Sequence, residues 1–231
     1  MYSLTTFCVL LCAVASAQAD IGYAKQLIAR GEYALATVTL NKQLADLPVE
    51  ARALLARVYM LEGAFGEATR YLEAAREKGL AEARYYALKG RIAVMQGRWN
   101  TAWAALRSAV ALSGRTDDAL YWGTVGLAQG NLDRALLGFG KAERAGAPAR
   151  AAFLRGLALL PAEPDRALQE LRAAQVQLDS EDPLKPQAIY WQARALERLG
   201  RAGEARSTLR FLLRSYPGYG AAQDALNRLG P

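Results

Sequence analysis

GAFGEATRYLEAAREKG, residues 63–79, and GRWNTAWAALRSAVALSG, residues 97–114, carry one pattern. Each opens on glycine and sets an alanine five residues on (Ala68, Ala102). A leucine follows four beyond that (Leu72, Leu106), and a second alanine seven beyond it (Ala75, Ala109). Outward along the chain the series continues through Ala36, Ala135, Ala167 and Ala205, with spacings of 32, 34, 33, 32 and 38 residues. A glycine precedes five of the six alanines by five residues: Gly31, Gly63, Gly97, Gly130 and Gly200. Seven residues earlier again stands another small residue, Ala56, Gly90, Gly123 or Ala193.

These intervals have a physical cause. A glycine takes the left-handed conformation that ends a helix in a tight turn. Small residues belong where two antiparallel helices cross, because a larger side chain would push them apart. The bulky apolar residue four beyond each alanine (Leu40, Leu72, Leu106, Phe139, Leu171, Leu209) keeps one helical face in a core. The spacing therefore predicts a helix-turn-helix of about 34 residues, repeated.

On these residues the chain resembles the tetratricopeptide repeat family. The segments GEYALATVTLNKQLADLP (31–48), GNLDRALLGFGKAERAG (130–146) and GRAGEARSTLRFLLRSYP (200–217) complete the likeness, which covers roughly residues 20–217. The resemblance implies an all-α, right-handed α-solenoid of about six helical pairs: 20–48, 49–80, 81–114, 115–148, 149–182 and 183–217. Residues 218–231 are expected to form a C-terminal capping helix, with Ala222, Ala225, Leu226 and Leu229 on its apolar face. The fifth unit departs most, since Pro161-Ala162-Glu163-Pro164 replaces the turn glycine. After it, Asp179 to Pro186 reads as a loop, either a tolerated insertion or a hinge. The sixth repeat and the cap are also similar to the ends of periplasmic repeat proteins that serve the cell envelope.

Composition narrows the function. The 231 residues hold 29 Lys plus Arg, 22 Asp plus Glu and no histidine, a net charge of +7. The commonest general base and metal ligand is thus missing. Both cysteines, Cys8 and Cys12, lie in the first dozen residues. No phosphate-binding loop or G-x-S-x-G is present, and Gly138-x-Gly140 sits inside a helical unit, where it reads as close helix packing. Asp117-Asp118 falls at a helix start, where acids are favoured. We expect no enzyme, no cofactor and no metal site.

Residues 1–19, MYSLTTFCVLLCAVASAQA, are uncharged, with an apolar run from Phe7 to Ala15 before Ala17-Gln18-Ala19. That is the form of an export signal cleaved after Ala19, giving a periplasmic or secreted chain without cysteine. The alternative is an uncleaved anchor in the inner membrane, since the first six residues lack Lys or Arg.

The resemblance also places a binding surface. In tetratricopeptide repeats the first helices line a concave groove that holds extended peptides, and the residue after each small crossing position faces it. Here those residues are Lys25, Arg57, Arg91, Thr124, Leu157 and Arg194, with Ala53, Ala87, Leu120, Phe153 and Tyr190 one turn before and Arg84 and Arg198 flanking. We take Lys25, Arg57, Arg91, Phe153, Tyr190 and Arg194 as candidate binding residues. Arginine is planar, permanently charged and suited to carboxylates. The competing reading is a solvated surface in which these cations pair with Glu50, Glu82 and Glu197. The asparagines of the chaperone-type carboxylate clamp are missing. Trp99, Trp103 and Trp122 read as core, Trp99 through the aromatic column it shares with Tyr33 and Phe65, and Trp191 as more open. The expected role is a non-enzymatic periplasmic scaffold binding a partner protein or peptide, an acidic one among the options. The envelope, pilus, secretion or polysaccharide-export machinery is the expected setting. The alternative is an accessory that holds an anionic polysaccharide for an envelope enzyme. Nucleic acid is not expected behind an export signal, and membrane contact only if the N-terminal segment is retained.

Overall fold

The computed structural model describes residues 20–41 and 48–230. The expected signal, with Cys8 and Cys12, lies outside the described residues, as do residues 42–47 and Pro231. Among the described residues the chain is built of thirteen helices and no strand. It divides into two compact units, one ending at Ser113 and the other beginning at Gly114.

The first unit contains three helical pairs: α1 (20–29) with α2 (Tyr33–Asn41), α3 (Val49–Leu61) with α4 (Phe65–Glu77), and α5 (Glu82–Met95) with α6 (Trp99–Ser113). The second holds α7 (Thr116–Ala128) with α8 (Leu132–Arg144), α9 (Pro148–Leu159) with α10 (Pro164–Gln177), and α11 (Leu184–Arg198) with α12 (Ala202–Ser215). It ends in α13 (Gly220–Leu229). These pairs follow the six repeats read from the sequence.

The turn glycines do what their spacing requires. Gly31, Gly63, Gly97, Gly130 and Gly200 have φ between +68° and +79°. Each closes a paired hydrogen-bond motif; around Gly63, Ala64 N–H bonds Tyr59 C=O at 2.8 Å and Gly63 N–H bonds Met60 C=O at 3.2 Å. Two otherwise orphaned carbonyls of the last turn are satisfied in this way. The fifth turn lacks the motif: Ala162 and Glu163 both donate to Leu159, and Pro164 starts α10, where its missing N–H has no helical acceptor to lose.

The crossings are tighter than composition alone conveys. A Cβ on Gly90 would lie 2.6 Å from Leu106 Cγ, and one on Gly156 would lie 2.6 Å from Leu171 Cγ. At Gly123 a Cβ would meet the Phe139 ring at 2.4 Å, while one on Gly138 would meet Gly123 Cα at 2.4 Å. Ala56 and Ala193, at the same repeat position, are fully buried. Each crossing presses a large side chain, such as Phe139 or Leu171 at 0% exposure, onto a bare backbone. Burying such a side chain stabilises by about 1.5–3 kcal/mol. Gly140 differs from its neighbour Gly138, because nothing lies within 4 Å of the space a Cβ would take. Close packing therefore explains Gly138 but not Gly140.

Three further expectations need correcting. Trp99 is 38% exposed rather than core, because as the first residue of α6 it stands at the rim of the pair. Trp103 and Trp122 are buried as expected. The loop before the sixth pair is shorter than Asp179–Pro186: Leu184, Lys185 and Pro186 belong to the first turn of α11, which tolerates proline. Nor is it built as a hinge. Leu184 N–H bonds Asp182 Oδ1 at 2.8 Å, Lys185 Nζ bonds Leu178 C=O at 2.7 Å, and Tyr216 Oη–H bonds Ser180 C=O at 3.1 Å. The cap behaves as expected, with Ala222 and Ala225 buried against Leu209 and Leu212.

Two substitutions separate crossing from spectator glycines. Gly123→Ala should lose about 1–3 kcal/mol in urea unfolding, since Phe139 and the Ala135 carbonyl must both shift. Gly140→Ala should instead gain roughly 0.5–1 kcal/mol from helix propensity. Equal effects from the two would contradict the packing account.

Candidate functional site: the face of the first helices

In the first unit, one carboxylate ties three successive first helices together. Glu50, near the start of α3, holds Lys25 of α1 at 3.1 Å and Arg84 of α5 at 2.5 Å. Its place in the first turn of α3 suits it, because the positive end of the helix dipole favours an acid there. The hydrogen bond from Arg84 holds the Glu50 carboxyl below the ordinary glutamate value, outweighing the opposing effect of burial, and Lys25 adds to the lowering. Sequence reading named Glu50 as a pairing partner but not as a hub. The register that makes it one depends on how α1, α3 and α5 align.

Arg57 lies two turns along α3 from Glu50, is exposed, and forms no ion pair among the described residues. Arg91, two turns along α5 from Arg84, is half-buried. Ala53 and Ala87, expected as apolar contacts, are 2% and 5% exposed and so are core residues, Ala53 packing with Met60 and Leu72. Glu82 pairs with Arg76 of α4 at 2.9 Å and not with a cation of the first helices. Arg76 in turn stands over the Tyr85 ring at 4.3 Å, and Tyr85 Oη–H donates to Glu73 at 2.7 Å.

The second unit presents a different surface. Phe153 is 4% exposed and packs with Leu171, Ala174 and Ala188, so it is a core residue and not a binding contact. Its position one turn before Leu157 turns it toward α10, where the crossing at Gly156 draws it in. Tyr190 is half-buried, edge-on to Trp191 at 5.5 Å and tilted against Tyr219 at 5.7 Å. Arg194 is engaged within its own helix, with Nη1 2.5 Å from Glu197, and Arg228 of α13 reaches the same carboxylate at 3.3 Å. Thr124 bonds back to the Tyr121 carbonyl at 2.7 Å. An arginine the sequence did not single out, Arg155, sits with 15% of its side chain exposed between Glu143 of α8 and Glu170 of α10, at 2.7 and 3.0 Å. It joins three helices as a packing element. The candidate cations are therefore gathered in the first unit as Lys25, Arg57, Arg84 and Arg91, while Arg194 belongs to a separate ion-pair cluster.

Among the described residues no group of three His, Cys, Asp or Glu side chains could hold a metal ion, and no helix is long and apolar enough to cross a membrane.

No protein-family model matches the chain, and none of the curated proteins matches it significantly. Solved structures do. The chain is similar to PilF of Pseudomonas aeruginosa at 21% identity, covering 93% of this chain and 98% of that one with a TM-score of 0.68. It is similar to PilW, described as a widely conserved type IV pilus biogenesis factor, at 17% identity, with 91% and 98% of the two chains covered and a TM-score of 0.72. YrrB, described as a TPR protein with an unusual peptide-binding site, matches at 20% identity over 76% of this chain and 90% of its own, with a TM-score of 0.59.

Because the folded-state acidity of Glu50 is raised by its cations, the stability it contributes is whole above the ordinary glutamate range and is lost as pH falls through the lowered value. Glu50→Gln should be less stable than wild type at neutral pH, by about 1 kcal/mol or less for so open a pair. That difference should be full above the ordinary glutamate range and shrink as pH falls below it in denaturant titrations. A difference that persists at low pH would mean the side chain acts by packing and not by charge.

Proposed function

We propose that the chain, which has the tetratricopeptide-repeat fold, is a non-enzymatic scaffold acting outside the cytoplasm. It holds an extended segment of a partner protein on the face of its first helices during assembly of the cell envelope, with the pilus machinery as the foremost setting. The observation that carries this reading is the first-unit face itself. It carries Lys25, Arg57, Arg84 and Arg91 on α1, α3 and α5, three first helices that Glu50 ties together through Lys25 and Arg84. Cations spread over successive first helices supply orientation to an extended segment laid across them.

Likeness to the solved structures supports the setting. Two of them, PilF and PilW, are spanned almost end to end, PilW is described as a pilus biogenesis factor, and YrrB is described as binding peptide. The uncharged segment before Asp20, ending in Ala17-Gln18-Ala19, supports export. The excess of 29 basic over 22 acidic residues favours an acidic partner.

A photocrosslinking amino acid at Arg91 or Met95, on α5, should capture a discrete envelope protein in cells. The same amino acid at Arg107 or Leu112, on α6, should capture none. Capture from α6 positions alone, or from neither helix, would contradict the proposal. For the exported form, intact mass should correspond to a chain starting at Asp20; recovery of the full chain from membranes would support the anchored alternative.

A further inference from the structure

Each second helix of the second unit buries one stripe and turns another to solvent. The inner stripes hold Ala135 and Phe139 on α8, Ala167 and Leu171 on α10, and Ala205 and Leu209 on α12. On the outer side each helix shows one large apolar side chain: Leu137, Val176 and Phe211, at 49%, 83% and 43% exposure. Exposed cations accompany every one of them. Lys141 and Arg144 follow Leu137, Arg172 stands one turn before Val176, and Arg210 and Arg214 flank Phe211. None of these five cations forms an ion pair among the described residues.

The three helices are neighbours. Arg155 reaches Glu143 of α8 at 2.7 Å and Glu170 of α10 at 3.0 Å. The Glu204 carboxyl of α12 lies below the ordinary glutamate value, chiefly through its hydrogen bond from Arg201, and the charge of Arg172 on α10 adds to the lowering. Charge also separates along each helix. Asp133, Asp165 and Glu204 occupy first turns, while Glu143 and Glu170 are held by Arg155, so the later turns are left positive. Helix dipoles favour cations in a last turn, yet Arg172 and Arg210 stand before it. The first unit has no such surface: α6 carries no basic residue in its last turn, and Arg76 in that of α4 is engaged by Glu82.

We propose that the outer faces of α8, α10 and α12 dock on the surface of an anionic phospholipid bilayer, to which the chain adsorbs without spanning it. Cations are drawn to the negative headgroups, and isolated apolar side chains between them enter the boundary between headgroup and acyl chain. Long arginine stems can lie along that boundary with their charge at the phosphates. A protein interface gathers its apolar anchors into one central cluster. Here they are dispersed, one to a helix, each beside a cation, and a bilayer needs no cluster because it receives each separately. An anionic polysaccharide would answer the charges but leave Val176 and Phe211 without a role. This surface is independent of the first-helix face read above as the partner surface.

The test mixes the chain, as purified from cells, with sedimenting vesicles of phosphatidylglycerol and phosphatidylcholine in equal parts, or of phosphatidylcholine alone. Wild type should partition about tenfold or more in favour of the anionic vesicles. Arg172→Glu with Arg210→Glu should weaken that binding about tenfold, and Lys141→Glu with Arg214→Glu should act likewise. Arg30→Glu with Arg107→Glu, the same charge change at exposed sites of the first unit, should stay within about twofold of wild type. An environment-sensitive fluorescent amino acid at Val176 should shift to the blue on anionic vesicles, and one at Leu112 of α6 should not. Equal binding to both vesicles, equal weakening by all three double variants, or no shift at Val176 would overturn the proposal. So would a shift produced by lipid-free envelope protein or by oligogalacturonate but not by vesicles. Photocrosslinking from α5 decides the scaffold reading separately in every case.

Discussion

The structure depends on how closely two antiparallel helices can cross. In each pair the first helix offers glycine or alanine at one position, and the second presses a leucine or phenylalanine against it. Gly90 with Leu106, Gly123 with Phe139 and Gly156 with Leu171 leave no room for a methyl group. The approach sets the depth at which the large side chain is buried, and with it most of the apolar contact each pair makes. A short turn is then required, and glycine at positive φ supplies it while satisfying two carbonyls in one stroke. Where the fifth pair lacks that glycine, a proline-bounded turn and the Arg155 ion pairs with Glu143 and Glu170 join the same elements by other means.

Stacking pairs of this kind divides the labour between helices. Second helices bury one stripe and show water a mostly polar back, as in α8, with Phe139 and Ala142 inside and Lys141 and Arg144 outside. First helices are packed on more sides, and the residues they leave open are few and ordered in register. That is why charges twenty-five or thirty-four residues apart, Lys25, Glu50 and Arg84, meet in a single network. Register fixed by packing becomes register of charge.

Much of the fold was legible because its causes are local and repeated. A glycine that ends a helix and a small residue at a crossing leave marks at constant intervals, and six copies make the pattern unmistakable. The candidate binding face was only partly legible. Phe153 and Tyr190 sit at the same repeat position, yet one is buried and the other half-open, because the crossing at Gly156 and the cap at Tyr219 surround them differently. Glu50 was visible as a charge but not as a hub, since its partners come from helices before and after its own. Arg155 gave no sign in the sequence of being nearly enclosed. Trp99 misled because an aromatic column in sequence does not say how far the neighbouring turn covers each ring.

Native-state hydrogen exchange tests the central claim most directly. If the crossings hold the pairs together, the slowest amides should cluster around Gly90, Gly123, Gly156 and Ala193 and opposite them at Leu106, Phe139, Leu171 and Leu209. Protection should then fall away toward the turns. Protection spread evenly along every helix, or concentrated at the turns, would contradict the account.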